Sequence, residues 1–143
     1  MTRVDFYVLN ENKTNGHHLF ACRLLEKIYK QGHDILLHVG DEKQASTMDK
    51  LLWTWKQGSF VPHEFHATDK AAESPILINH QPEAKTDMQD VLVNLANEIP
   101  LFFSQFERVA EIIDSSEQSR QSGRQRYRFY QERGYPLETH QIQ

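Results

Sequence analysis

The chain has 143 residues, 38% hydrophobic and 25% charged, with a net charge of −4 at neutral pH. That length holds one core, so residues 1–143 are expected to form a single domain. The composition excludes a disordered chain, and no apolar run approaches the roughly 18 residues of a membrane span. No long apolar stretch follows Arg3, so no secretory leader is expected and the expected location is the cytoplasm. The lone Cys22 has no partner for an internal disulfide.

In chain order, Val4-Asp-Phe-Tyr-Val-Leu9 reads as a strand, being β-branched and aromatic. Gly16–Lys30 places Leu19, Phe20, Leu24 and Ile28 at helical spacing and is closed by Gly32. Asp34–Val39 reads as a buried strand. Asp41-Glu42 then opens a helix with Ala45, Met48, Leu51, Leu52 and Trp55 as its apolar positions. Residues 56–75 show no period and read as loop. Pro75–Asn79 and Val91–Leu95 read as strands separated by a polar loop. Pro100–Phe106 reads as a short helix and Phe106–Ile113 as a fifth strand. Ser115–Arg133 is the last helix, with Ser115 and Gln118 spaced as a capping box and Gly134 and Pro136 as its stop. Strands alternating with helices predict an α/β fold, a mainly parallel twisted sheet with helices on both faces.

Such a sheet holds nucleotides only where a Gly-rich turn follows the first strand, so that backbone amides can approach phosphate. The segment Asn10–Gly16 has one Gly, one acidic residue and no Gly-Lys-Ser/Thr ending, so no nucleotide site and no cofactor are expected. His63 and His66 are three apart and flank Glu64, but no third ligand follows at a recognisable spacing, so no metal is expected. Cys22 falls inside the first helix, where a thiol is inert. No catalytic constellation of acid, base and orienter is present, so an enzyme is not expected.

Two surfaces remain. Trp53, Trp55 and Phe60 lie within eight residues, and on a helix the two Trp are about 200° apart, so both cannot face one core. An exposed member would mark a protein interface; a loop folded back over all three would bury them. In the last helix, Arg120, Arg124 and Tyr127 form one stripe, with Arg128 and Tyr130 beside it. Residues 115–143 carry five Arg and three Glu, against 11 Lys/Arg and 17 Asp/Glu before them. An acidic body does not wrap a nucleic-acid backbone, so direct nucleic-acid binding is not expected. A local Arg stripe suits the carboxylates of an acidic peptide, or else is a solvated helix face.

The stretches Phe6-Tyr7-Val8-Leu9, Asp41-Glu42-Lys43-Gln44-Ala45, Leu52-Trp53, Ser59-Phe60-Val61-Pro62-His63, Asp90-Val91-Leu92 and Arg124-x-Arg126-Tyr127-x-x-Tyr130 together resemble the chi subunit family of the bacterial DNA polymerase III holoenzyme. The resemblance runs end to end and is least in residues 64–74, in 80–88 and after Leu137. It implies a nucleotide-binding-like fold without a nucleotide site, and a non-enzymatic adaptor. Family partners are the psi subunit of the clamp loader and the acidic C-terminal tail of single-stranded DNA-binding protein. By position, Trp53 and Phe60 match psi-facing residues. Arg120, Arg124 and Tyr127 match the tail site, with Ile113 and Leu137 as its apolar wall. Members also serve a helicase partner, and the sequence leaves that role open. The alternative class is a nucleotide-handling enzyme on the same sheet.

Overall fold

The structure, a computed structural model, describes residues 1–10, 16–67 and 72–142. Its strands are β1 (Arg3–Leu9), β2 (Ile35–His38), β3 (His63–Phe65), β4 (Ile76–Asn79), β5 (Val91–Asn94), β6 (Arg108–Ile113) and β7 (Leu137–Ile142). They form one sheet in the order β3-β4-β2-β5-β6-β1-β7. Every pairing is parallel. The helices are α1 (Gly16–Lys30), α2 (Glu42–Thr54) and α3 (Glu117–Glu132), with a 3-10 turn at Phe103–Gln105.

The sheet is buried on both faces, as parallel sheets require. Ile35, Leu37, Ile76, Ile78, Val91 and Val93 pack under α1 and α2, against Ala21, Leu25, Ile28, Ala45, Met48 and Leu52. The alternate residues Leu36, Leu77, Leu92, Val109 and Phe6 face the other way, against Phe103, Phe106 and Tyr130. The strands therefore read as continuous apolar runs rather than as alternation. Asp41 caps α2 by accepting a hydrogen bond from Gln44 N at 2.7 Å. Gly32 and Gly134, both at positive φ, end α1 and α3.

Helix α3 attaches differently. Its buried residues are Gly123, Arg126 and Tyr130, only one of them a large apolar side chain. Arg126 Nε donates to Glu111 Oε1 of β6 at 3.0 Å, and Tyr130 OH donates to Glu111 Oε2 at 2.8 Å. Asn94 Nδ2 of β5 donates to both carboxylate oxygens, at 3.0 and 3.2 Å. Arg126 also donates to Asn97 O at 3.1 Å and to Ser122 Oγ. Burial pushes the Glu111 carboxyl up, opposed by the Arg126 guanidinium, then the Tyr130 and Asn94 donors.

Several expectations are corrected. Part of residues 56–75 forms β3, a three-residue edge strand too short to show a period. Pro100–Phe106 supplies one 3-10 turn instead of a helix, because burying Phe103 and Phe106 on one side needs a spacing of three. Ser116, not Ser115, caps α3, accepting from Ser119 N at 3.1 Å. The stretch from Leu137, which the sequence reading assigns to no element, forms β7, in register with β1 from Val4↔Leu137 to Leu9↔Ile142. Tyr130 does not stand beside the Arg stripe; it is fully buried.

Removing Arg126 leaves the Glu111 carboxylate buried and unpaired, which costs about 3–5 kcal/mol. Arg126→Ala is expected to lower unfolding free energy by that amount in urea titrations. A loss below about 1 kcal/mol would show that the network carries no stability.

His38 gives the fold a pH dependence. Its Nδ1 sits 3.2 Å from Asn79 Nδ2, an amide donor, so this nitrogen accepts and the ring is neutral. Burial first, then the neighbouring His80, pushes its pKa down to about 4. Between the usual imidazole range and about 4, the unfolded chain binds a proton that the folded chain does not. Stability from neutral His38 is complete above the ordinary imidazole value and is lost as pH falls toward 4. Melting curves from neutral to acid pH should fall less steeply for His38→Asn than for the parent. Parallel curves would count against it.

Candidate functional site

The sheet order places β3 and β7 at opposite edges, and each edge carries one of the two surfaces. Seven strands at about 4.8 Å spacing separate them by roughly 30 Å.

At the β7 edge, a cavity of about 280 Å³ opens between α3 and the sheet. Arg120, Gly123, Arg124 and Tyr127 form its helix wall, Phe6, Val8 and Ile113 its apolar floor, and Thr139 and Gln141 its β7 side. Tyr127 stands edge-on to Phe6, ring centres 5.2 Å apart. Arg120 is half-buried, and its buried Nε has no hydrogen-bond partner among the described residues. Arg124 is exposed and, among the described residues, pairs with the exposed Glu117 carboxylate at 3.4 Å. The cavity therefore offers two guanidinium groups above an apolar floor, a match for carboxylates flanking an apolar side chain. The structure brings Arg120, Arg124, Tyr127 and Ile113 together. It does not bring Leu137 into the cavity wall; that side chain packs into the core beneath α3, and Thr139 and Gln141 take the expected place. Phe6, Val8 and Asn10 also line the cavity and were not anticipated.

Gly123 explains how α3 comes so close. A Cβ there would lie 2.8 Å from Ile113 Cδ1 and 3.2 Å from its Cγ1 and Cγ2. The glycine that weakens the helix is what lets it lie on β6.

At the β3 edge, Trp53 is 54% and Phe60 65% exposed, with ring centres 5.8 Å apart. Trp55 turns inward and packs against the core. Trp53 rests at 4.6 Å on the ring of His63. His63 is buried, its Nδ1 2.7 Å from Val61 O and its Nε2 3.1 Å from Asp49 Oδ1, so it is a core residue that supports Trp53. The loop bearing Phe60 is tied to α1: Ser59 Oγ donates to Glu26 Oε2 and Lys56 Nζ donates to Glu26 Oε1 at 3.3 Å. Ser59's hydroxyl, then Lys56 and Lys30, hold the Glu26 carboxyl below its usual range. A long-range tie from Glu26 to Ser59 has no local sequence signal.

A crevice of about 630 Å³ lies at the C-terminal ends of the strands, where nucleotide-binding sheets hold ligands. There the Gln44 and Gly40 amides already donate to Asp41 Oδ1 and Gln44 Oε1. The preceding turn falls in 11–15, outside the described residues. Asp5, Glu138 and His140 form the group of possible metal ligands among the described residues. The Asp5 carboxylate accepts from Arg108 Nε at 2.8 Å, and its other oxygen lies 3.1 Å from His140 Nε2; the first contact ties β6 to β1 and the second fastens β7 to β1. Burial pushes the Cys22 thiol up to about 12, so it is no nucleophile. Among the described residues, no helix is long and apolar enough to cross a membrane.

Fold and surfaces together define an all-parallel α/β domain displaying an aromatic pair at one sheet edge and a cationic cavity at the other. The model of the family described as DNA polymerase III chi subunit, HolC, matches residues 1–138, and the chain belongs to that family. It is 40% identical over 142 residues to the DNA polymerase III subunit chi of Pseudomonas aeruginosa, covering 99% of this chain and 98% of the relative. To the protein of that name from Escherichia coli it is 26% identical over 143 residues, covering 97% of each. The solved structure of T4 UvsW shares the fold, with a TM-score of 0.70 at 9% identity over 99% of this chain and 41% of that one.

Alanine at 123 gains about 1 kcal/mol of helix propensity but must displace the packed Ile113. Gly123→Ala is expected to lower the melting temperature, and adding Ile113→Val, which removes Cδ1, to restore part of it. A higher melting temperature for the single variant would show that Ile113 yields freely.

Proposed function

We propose that this accessory subunit of the replication polymerase is a non-catalytic adaptor of the cytoplasm, joining the psi subunit of the clamp loader to the acidic C-terminal tail of single-stranded DNA-binding protein. The observation that carries this reading is the separation of two chemically different surfaces at opposite edges of one rigid sheet. Trp53 and Phe60 offer psi an exposed aromatic pair, the residue type that dominates interface energetics. Arg120, Arg124 and Tyr127 receive the tail, Arg124 as a fork for the terminal carboxylate, Arg120 for the acidic residues, and the floor at Ile113 and Phe6 for the terminal aromatic ring. The net charge of −4 leaves DNA contact to the partner.

The test has two arms in one set of variants. Arg124→Ala should weaken a labelled tail peptide, followed by fluorescence anisotropy, by about 2 kcal/mol, with Arg124→Lys recovering only part. Phe60→Ala should weaken co-purification with psi by a similar amount and leave tail affinity unchanged. If either variant keeps its partner at full affinity, that surface is wrongly assigned.

A further inference from the structure

Strand β7 has one side free. Val4 N donates to Pro136 O at 2.9 Å and Asn10 N to Ile142 O at 3.0 Å. With the register Val4↔Leu137, Phe6↔Thr139 and Val8↔Gln141, this phase turns the N–H and C=O of Glu138 and His140 toward β1. It turns those of Leu137, Thr139 and Gln141 outward. Among the described residues nothing pairs with that outer row, and Thr139 and Gln141 are exposed.

The opposite edge is blunted by length, since β3 has three residues against six in β7. Natural edges are usually guarded by Lys, Pro or inward-pointing charge. The run Leu137-Glu-Thr-His-Gln-Ile142 has no Lys and no Pro, and its one acidic side chain, Glu138, lies in the Asp5–His140 cluster on the face away from α3. On the α3 face, Thr139 and Gln141 are the same residues that wall the cationic cavity. The free edge and the cavity are therefore one continuous surface.

We infer that β7 is a template for strand addition: an acidic, extended peptide ending in an apolar residue pairs its backbone with Leu137, Thr139 and Gln141 while its terminal side chain enters the cavity. This rests on the tail assignment above and adds how the segment before the terminal residue is held. Charge complementarity selects the occupant. In an added strand every second side chain points to the α3 face, toward Arg120 and Arg124, so acidic residues at alternate positions contribute and those between them face away. One strand spacing, about 4.8 Å, separates the added backbone from β7, within reach of an aromatic side chain entering the cavity.

The experiment uses the full chain and a fluorescein-labelled peptide of acidic residues ending in Phe with a free carboxylate. Gln141→Pro deletes an outward N–H and leaves the pairing with β1 intact, a position where sheets accept proline. It should weaken binding about fivefold, the loss of one hydrogen bond. On the unaltered protein, peptides N-methylated at successive positions should alternate between weakened and full binding. If Gln141→Pro binds like the parent and methylation has no alternation, while Arg124→Ala is weakened, strand addition is wrong and the tail site stands. If Arg124→Ala is also unaffected, both fall. Should Gln141→Pro fail to fold, the methylated series decides alone.

Discussion

Glu111 is a carboxylate placed where a parallel sheet has no water to offer it, and the geometry of α3 follows from how it is satisfied. A buried carboxylate is tolerated only if paired and hydrogen-bonded. Arg126, Tyr130 and Asn94 supply four donations to its two oxygens, so the helix has one rotational setting in which the network closes. In that setting Gly123 meets Ile113, Tyr127 meets Phe6, and Arg120 and Arg124 overhang the cavity. An apolar stripe would hold the helix by area and tolerate a small rotation or slide. A directional ion pair does not, which suits a helix whose exposed side must present two guanidinium groups at fixed positions.

The same division of labour appears within the arginines. Arg120, Arg124, Arg126 and Arg128 are chemically identical, yet Arg126 is buried and belongs to the fold while Arg124 and Arg128 face solvent. At the other edge, Trp53 and Trp55 divide likewise, one exposed on a buried histidine and one turned into the core. Sites at both ends are thus supported by residues that lie behind them: the buried His63 under Trp53, the half-buried Glu26 behind Ser59, and the buried Glu111 beneath α3.

How much of this is legible in the sequence depends on whether the signal is local. Helix α1 and the runs at Ile35, Ile76 and Val91 are local, and their reading agrees with the structure to within a residue or two. The inward face of α3 is also encoded, since Gly123, Arg126 and Tyr130 sit at i, i+3 and i+7, and a lone Glu inside Val109-Ala-Glu-Ile-Ile113 demands a partner. Two of the three inward residues, Gly123 and Arg126, are not apolar, so this face carries no hydrophobic periodicity. Strand β7 was not legible: its residues are mostly polar, and what makes it a strand is Tyr7 stacked on His140 at 4.7 Å and Asp5 Oδ1 lying 3.1 Å from His140 Nε2, contacts more than a hundred residues apart. The boundaries of the cavity were missed for the same reason, since Thr139 and Gln141 acquire their role only through that pairing.

Strand order also explains why this fold leaves its usual crevice for its edges. In a doubly wound sheet the C-terminal ends of the strands collect helix N-termini, and a phosphate would bind the free amides there. Here Asp41 and Gln44 occupy those amides with their own side chains, and Asp114 and Glu98 line the same opening. Carboxylates at that position repel the anion that the architecture would otherwise attract. The sheet's remaining assets are its two ends, and a rigid parallel sheet buried on both faces holds them at a constant distance. On the proposed reading, the sheet acts as a spacer, and the nucleotide-binding-like fold is retained because it builds a stiff scaffold with two widely separated edges.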